Sequence, residues 1–237
     1  MVFNKVINFF RRKTSCNSLA RMHEPNDKLT EIEPYLQEAA LMLDIVIPEI
    51  KLVNCLFDYN GSIQSLVEFN ENDIPEDAHF LGAFYPDKQN VIYISMKVPN
   101  CDLDKKTKVF TDCTVAEMLF VALHELRHIW QKKYHFDAYY QHNAVGLEII
   151  NDPAEIDADA FAIAYVFSSK TDFTAKDFPV MMEEICLQAA LDKGERWERA
   201  KSLSSEYGLG CNDKVSAAKN SIDERIIKKY LDLARLD

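Results

Sequence analysis

The sequence has no apolar run that approaches the roughly 18–20 residues of a membrane span. Its N-terminal stretch, MVFNKVINFFRRK, carries its basic residues after a very short apolar run, whereas a secretory signal has charge first and then about 7–15 apolar residues. The six cysteines form no Cys-x-x-Cys pair, and such spacing in a chain of 237 residues is typical of free thiols in a reducing compartment. We therefore expect a cytoplasmic protein that does not associate with membranes.

Positive charge is also scarce in this chain. It has 27 lysines and arginines against 38 aspartates and glutamates, so its formal net charge is −11 and its pI is about 5.1. A broad electrostatic footprint on nucleic acid or on an anionic membrane requires clustered positive charge. We expect no nucleic-acid partner, and a protein or peptide is the expected partner.

The order of the local patterns predicts an α+β fold. Hydrophobic residues make up 48% of the chain, which is enough for a sizeable core. Strand patterns dominate the first half and helical patterns the second, without an internal repeat. We expect an N-terminal arm over residues 1–27, one compact domain over residues 28–170, and a helical C-terminal extension packed on it over residues 171–237.

The first half of the chain predicts one helix and several strands. Apolar residues at helical spacing predict a helix over about residues 30–44. The segment EIKLVNCLF, residues 49–57, predicts a strand, and GSIQSLVEF, residues 61–69, predicts either a strand or a short helix. Two β-rich runs on either side of PDKQN, residues 86–90, predict a β-hairpin, and PNCDLDKKTK, residues 99–108, is expected to be a loop.

The second half of the chain predicts helices with recognisable starts. Thr114 and Glu117 form a capping-box pattern ahead of an apolar run, which predicts a helix that ends near Tyr134. Asp152 can cap another helix that has Pro153 at its first position. Two further helical patterns follow, at residues 177–208 and 215–237.

The stretch VALHELRHIWQ, residues 121–131, lies in the first of these helices and contains His124, Glu125 and His128. Residues four apart lie one above the other on a helix, so the two imidazoles can converge on one metal ion. Glu125 points about 100° away from His124, close enough to reach a water on that metal without being a ligand. This is the HExxH pattern of zinc hydrolases. The alternative is that both histidines merely flank the apolar stripe of an amphipathic helix.

A catalytic zinc ion takes three protein ligands and leaves a fourth position to water, so the pattern needs one more donor. The metzincin position, six residues after His128, is Tyr134, and His135 is one residue out of register. The other common donor is a glutamate on a following helix, and Glu155 lies 27 positions after His128. With Asp152 as N-cap, Glu155 also occupies the position where a capping box places glutamate for structural reasons.

Two aspartates follow Glu155 on the same predicted helix. Asp159 is one turn later and shares the face of Glu155, so it could accept the outer N–H of a ligand histidine and fix its tautomer. Asp157 lies about 200° around the helix from Glu155. We therefore expect Asp157 to matter little to metal binding.

The two motifs together resemble the pattern of the gluzincins, most nearly that of the compact ImmA/IrrE-type metallopeptidases. They are HELRH, residues 124–128, and EIDADAFA, residues 155–162. The predicted hairpin LGAFYPDKQNVIYIS, residues 81–95, is also similar to the strand pair of that family. The resemblance spans about residues 80–167. Arg127 departs from the family, which has a small residue there, and the connection to the second motif is rich in tyrosine and histidine.

The resemblance implies a fold, a cofactor and a set of roles. The implied fold is a compact zincin-like domain with a small sheet or hairpin, an HExxH helix and a glutamate-bearing helix. The implied cofactor is Zn²⁺, with His124, His128 and Glu155 as its ligands. Glu125 is implied to be the general base, and an edge strand is implied to bind extended peptide.

Oxyanion stabilisation would require one more donor near the metal. The candidates lie in the connection between the two motifs and on the second helix: His135, Tyr139, Tyr140, His142 and Tyr165. The sequence does not choose among them, and each residue type is also common in packing and surface positions.

Two functions are compatible with these patterns. The first is a zinc-dependent intracellular endopeptidase that cleaves a specific protein or peptide by metal-activated water. The second is a non-catalytic zincin-fold interaction protein whose metal site is structural. The presence of Glu125 favours the peptidase, because a structural site has no use for a base beside the metal.

Overall fold

The computed structural model describes residues 25–60, 62–66, 74–75, 79–85, 90–102, 107–139, 152–179, 181, 185, 192–210 and 212–220. Within these residues the fold is mixed α and β, as the sequence predicts. Most of the predicted N-terminal arm and most of the second C-terminal helical pattern lie outside them. No helix in the described part of the chain is long and apolar enough to cross a membrane.

The helices begin where the capping patterns predict. Thr114 Oγ1 accepts the Glu117 N–H at 3.1 Å, and the Glu117 carboxylate accepts the Thr114 N–H at 3.0 Å. Asp152 accepts the Ala154 N–H at 2.8 Å, and Pro153 opens that helix. The described helices are α1 Pro25–Met42, α2 Val115–Tyr134, α3 Phe136–Tyr139, α4 Pro153–Val166, α5 Glu195–Glu206 and α6 Asn212–Asn220, with a 3₁₀ turn at Ala175–Asp177.

The strands form two three-stranded sheets and one two-stranded sheet. The first sheet has the order β1-β6-β5, with β1 parallel and β5 antiparallel to β6, which confirms the predicted hairpin around residues 86–90. The second has the order β3-β2-β4, so the segment after residue 61 is a strand rather than a helix. The strands are β1 Glu49–Val53, β2 Cys55–Tyr59, β3 Ser62–Leu66, β4 His79–Leu81, β5 Ala83–Phe84, β6 Val91–Ser95, β7 Lys97–Asp102 and β8 Thr107–Asp112.

Two predictions for the strand region were wrong. The segment at residues 49–57 is not one strand, because Asn54 separates β1 from β2 and the two belong to different sheets. The segment at residues 99–108, expected to be a loop, lies largely in the antiparallel pair β7 and β8. Pro99 suggested a loop because it lacks an N–H, but an edge strand tolerates proline. Either strand of a two-stranded sheet is such an edge.

The main apolar core is built around α4. Every residue of α4 except Pro153 and Glu155 is buried. Small side chains in the run from Ala158 to Ala164 permit close approach of α2 on one side and α5 on another. Because α4 is enclosed, the position of Glu155 at its open end is fixed by the packing of the rest of the helix.

The C-terminal segment packs on α4 but does not form the continuous helix that residues 177–208 predict. A turn at residues 192–194 precedes α5, and its last two residues, Lys193 and Gly194, have φ angles of +59° and +89°. Trp197 of α5 and Val215 of α6 are buried in the main core. The extension therefore shares one core with the preceding domain.

Tyr165 is placed away from the start of α4, contrary to its prediction as an oxyanion donor. It follows Glu155 by ten residues, which is about 15 Å along a helix. Its hydroxyl donates to the Tyr35 carbonyl at 3.0 Å and lies 3.1 Å from Glu38 Oε2, both on α1. Burial and the nearby charge of Glu38 raise the pKa of Tyr165 above its usual value, so the hydroxyl stays protonated and links two helices.

We predict that Tyr165→Phe will lower the free energy of unfolding by about 0.5–1.5 kcal/mol, the usual net contribution of a hydrogen bond. Urea denaturation followed by circular dichroism will measure the change. Zinc binding should be unaffected, because the hydroxyl contacts α1 and lies far from the start of α4. A loss of bound zinc with unchanged stability would contradict this assignment.

Candidate metal centre

The two histidines of the HExxH motif face each other on α2. The ring centroids of His124 and His128 are 4.5 Å apart with planes at 81°, and their Nε2 atoms are 2.9 Å apart. This follows from their four-residue spacing on a regular helix. The two nitrogens are therefore directed at one point beside the helix.

Glu155 completes the group from the first turn of α4. Its Oε2 lies 3.4 Å from His124 Nε2, and its Oε1 lies 3.3 Å from His128 Nε2. The capping role that its position also allowed is therefore not where its carboxylate is directed. One atom from each of the three residues lies within 4.8 Å of the others, so the group could hold a metal ion.

The separations fit a tetrahedral ion. Zinc–ligand distances near 2.0–2.1 Å place neighbouring donors of a tetrahedron about 3.3 Å apart. Each imidazole Nε2 lies at about this distance from one oxygen of the Glu155 carboxylate, His124 from Oε2 and His128 from Oε1, and the 2.9 Å between the two Nε2 atoms is shorter. The side chains of His124, His128 and Glu155 are 17%, 13% and 34% exposed, so solvent reaches the group. Three protein donors with solvent access leave room for water as a further ligand of a bound ion.

A chain of charged groups lies behind His124. Its Nδ1 is 2.7 Å from Asp159 Oδ1, and Asp159 Oδ2 accepts from Arg196 Nε at 2.8 Å. The guanidinium of Arg196 also donates to Asp192. Asp159 thus lies behind His124 as the sequence predicts, whereas Arg196 comes from the C-terminal extension and was not foreseen.

A different chain lies behind His128. Its Nδ1 is 2.8 Å from Gln131 Oε1, and Gln131 Nε2 donates to Asp157 Oδ2 at 2.9 Å. Asp157 also accepts from Arg127 Nε at 2.7 Å and from Arg199 Nε at 2.8 Å. Asp157 lies outside the donor group, as its place on the helix predicts, and it accepts hydrogen bonds from three neighbouring side chains. Its small effect on metal binding stays a prediction.

Arg127, the departure inside the motif, is a buried cross-link between α2 and α4. Its side chain is fully buried, and that of Asp157 is 4% exposed. The guanidinium also donates to the Tyr207 hydroxyl at 2.9 Å and lies 3.6 Å from the centre of the Trp130 ring. A smaller residue at this position would leave Asp157 without its closest cation.

The charges of the centre are strongly coupled in the metal-free protein. Burial alone would lower the pKa of His124, but Asp159 and Glu155 outweigh it and raise that pKa well above its usual value. Burial would raise the pKa of Glu155, but the neighbouring imidazoles of His124 and His128 hold it well below its usual value.

Glu125 lies between the two histidines in sequence and is partly exposed. Among the described residues, none forms a hydrogen bond or an ion pair with its carboxylate. A carboxylate without such a partner is available to accept a proton from water.

The structure describes two of the five predicted oxyanion donors in full. The Tyr165 hydroxyl contacts Tyr35 and Glu38 of α1. The ring of His135 packs on Trp130 at a centroid distance of 4.4 Å at the end of α2. Tyr139 ends α3, and its side chain lies outside the described part, as do Tyr140 and His142. Which residue stabilises the oxyanion stays a prediction.

Comparisons with family models, with curated proteins and with solved structures find no match to this chain. The zincin resemblance therefore stays a prediction that rests on the two motifs and their geometry. What the structure shows is a group of three residues that could hold a metal ion.

We predict that the protein binds one zinc ion per chain. His124→Ala and Glu155→Ala should each abolish high-affinity binding, because each removes one of three donors. Metal analysis and competition with a chromophoric chelator will measure occupancy and affinity. His135→Ala is the matched control, since it removes a histidine that packs on Trp130, and it should bind zinc normally. A wild-type protein that refuses added zinc would rule out the centre.

We also predict that Arg127→Met will lower the free energy of unfolding of the metal-free protein by about 3 kcal/mol, the lower end of the range for a broken buried ion pair, because the Asp157 carboxylate loses its closest cation and keeps only the partly exposed Arg199. Arg199→Met is the control. Its guanidinium is 33% exposed, so its loss should cost under about 1 kcal/mol. Equal losses in the two variants would show that burial does not increase the contribution of the Arg127–Asp157 pair to the free energy of unfolding.

Proposed function

We propose that this protein is a zinc-dependent peptidase of zincin type. The observation that carries the proposal is the convergence of His124, His128 and Glu155 within 4.8 Å of one another, with Glu125 beside them on α2. The solvent access of the three donors and the uncommitted Glu125 carboxylate favour hydrolysis over a purely structural site.

A bound ion and the side chains of the protein have different parts in the proposed hydrolysis. When bound, zinc polarises a carbonyl and makes water a stronger acid. Glu125 accepts the proton of the attacking water and transfers it to the amine that leaves. Asp159 and Gln131 hold the imidazoles of His124 and His128 from behind, so the donors keep their direction during turnover.

The substrate that this geometry favours is an extended peptide. Among the described strands, β5 lies at one edge of its sheet. Gly82, just before β5, packs against α2 so closely that a Cβ there would lie 3.0 Å from Val121 Cγ1. Val121 precedes His124 by three residues, about one helical turn. A peptide added to β5 by main-chain hydrogen bonds would therefore run close to the HExxH turn of α2.

We predict that Glu125→Gln will keep zinc content and thermal stability near wild type while reducing cleavage about 10²–10⁴-fold, the usual contribution of a general base. Glutamine keeps the size of the side chain and one acceptor but cannot take the proton from water. Glu31→Gln on the exposed face of α1 is the matched control and should cleave normally.

The natural substrate can be sought with the same pair of variants. Wild type and Glu125→Gln are expressed in the native host, and the two proteomes are compared for fragments whose intact parent accumulates with the variant. A fragment made only by the wild type identifies the substrate. Matching proteomes under all growth conditions tested, from proteins that both bind zinc, would favour the non-catalytic interaction protein instead.

A further inference from the structure

We propose that Gln131 is a positioning residue that holds His128 with its Nε2 lone pair directed at the metal centre. The inference rests on the proposed function for the role of His128 as a zinc ligand. It assigns a task to a residue three positions beyond the HExxH motif.

The orientation of the Gln131 amide is fixed by its surroundings. Gln131 is fully buried, and its Nε2 lies 2.9 Å from the Ala154 carbonyl and 2.9 Å from Asp157 Oδ2. A carbonyl and an ionised carboxylate only accept hydrogen bonds, so the NH₂ group must face them. The amide oxygen is left facing His128.

Asp157 cannot act as a hydrogen-bond donor to the Gln131 amide. Arg127 and Arg199 both donate to it, at 2.7 Å and 2.8 Å, and two cations hold it in its ionised form. It therefore has no proton to donate to Gln131. Asp157 is therefore the acceptor in its hydrogen bonds with Arg127, Arg199 and the NH₂ group of Gln131.

The amide oxygen then selects one tautomer of His128. Gln131 Oε1 lies 2.8 Å from His128 Nδ1 and can only accept, so Nδ1 carries the hydrogen. A neutral imidazole protonated at Nδ1 has its lone pair on Nε2. That is the atom 3.3 Å from Glu155 Oε1 and 2.9 Å from His124 Nε2. The ring is thus prepared for metal binding before an ion arrives.

The first test reads the tautomer in the metal-free wild type. Long-range ¹H–¹⁵N NMR distinguishes a protonated from an unprotonated nitrogen in each histidine ring. We expect His128 to show a protonated Nδ1 and an unprotonated Nε2. The opposite tautomer would overturn the proposal, whether or not any variant folds.

The second test compares two substitutions that differ in whether they keep an acceptor. Gln131→Met removes the acceptor at similar volume, so the Nδ1–H preference should disappear and zinc affinity should fall about 10–100-fold. Gln131→Glu keeps an acceptor but places its carboxylate against Asp157, so it should be the less stable variant and yet retain the Nδ1–H tautomer. If Gln131 only supported the fold, the less stable Gln131→Glu variant would be the one that loses the Nδ1–H tautomer.

A matched control makes the same substitution away from the centre. Gln37→Met changes an exposed glutamine of α1, so tautomer and zinc affinity should stay near wild type. If Gln131→Met keeps both at wild-type values, the proposal is wrong. These readouts do not depend on cleavage: a protein that binds zinc with this tautomer but cleaves nothing refutes the peptidase and leaves the role of Gln131 standing.

Discussion

The buried pair of Arg127 and Asp157 is the interaction on which the geometry of the metal centre depends. It joins α2, which carries both histidines, to α4, which carries Glu155, at a point where neither charge meets solvent. A buried ion pair often adds little net stability relative to an apolar pair, but it penalises every arrangement in which its partners separate. Here such a separation would also move Glu155 away from the imidazoles.

The two histidines are held by separate chains of bonds that both end on α5. Arg196 reaches His124 through Asp159, and Arg199 approaches His128 through Asp157 and Gln131. The arginines are three residues apart, so they lie on one face of α5, which packs on α4. The C-terminal segment that the sequence presents as an extension is therefore part of the support of the centre.

Local rules were enough to predict the parts of the site that lie close together in sequence. The capping box at Thr114, the cap at Asp152 and the i, i+4 spacing of the histidines each depend on a few neighbouring residues. The two arginine partners of Asp157 lie 30 and 42 positions away on other helices, and no periodicity in the sequence predicts such pairs. An arginine inside an HExxH motif was a visible signal, since a charge on a buried helix face requires a partner.

The way the centre is built bears on whether its metal is structural or catalytic. Structural zinc sites supply much of the folding energy of small domains that lack a sufficient core. In this protein α1, α2, α4, α5 and α6 share one apolar core, and buried hydrogen bonds already direct the donors. A preorganised, partly exposed donor set within such a core supports the proposed chemistry at a bound metal over the alternative of an ion that only reinforces the structure.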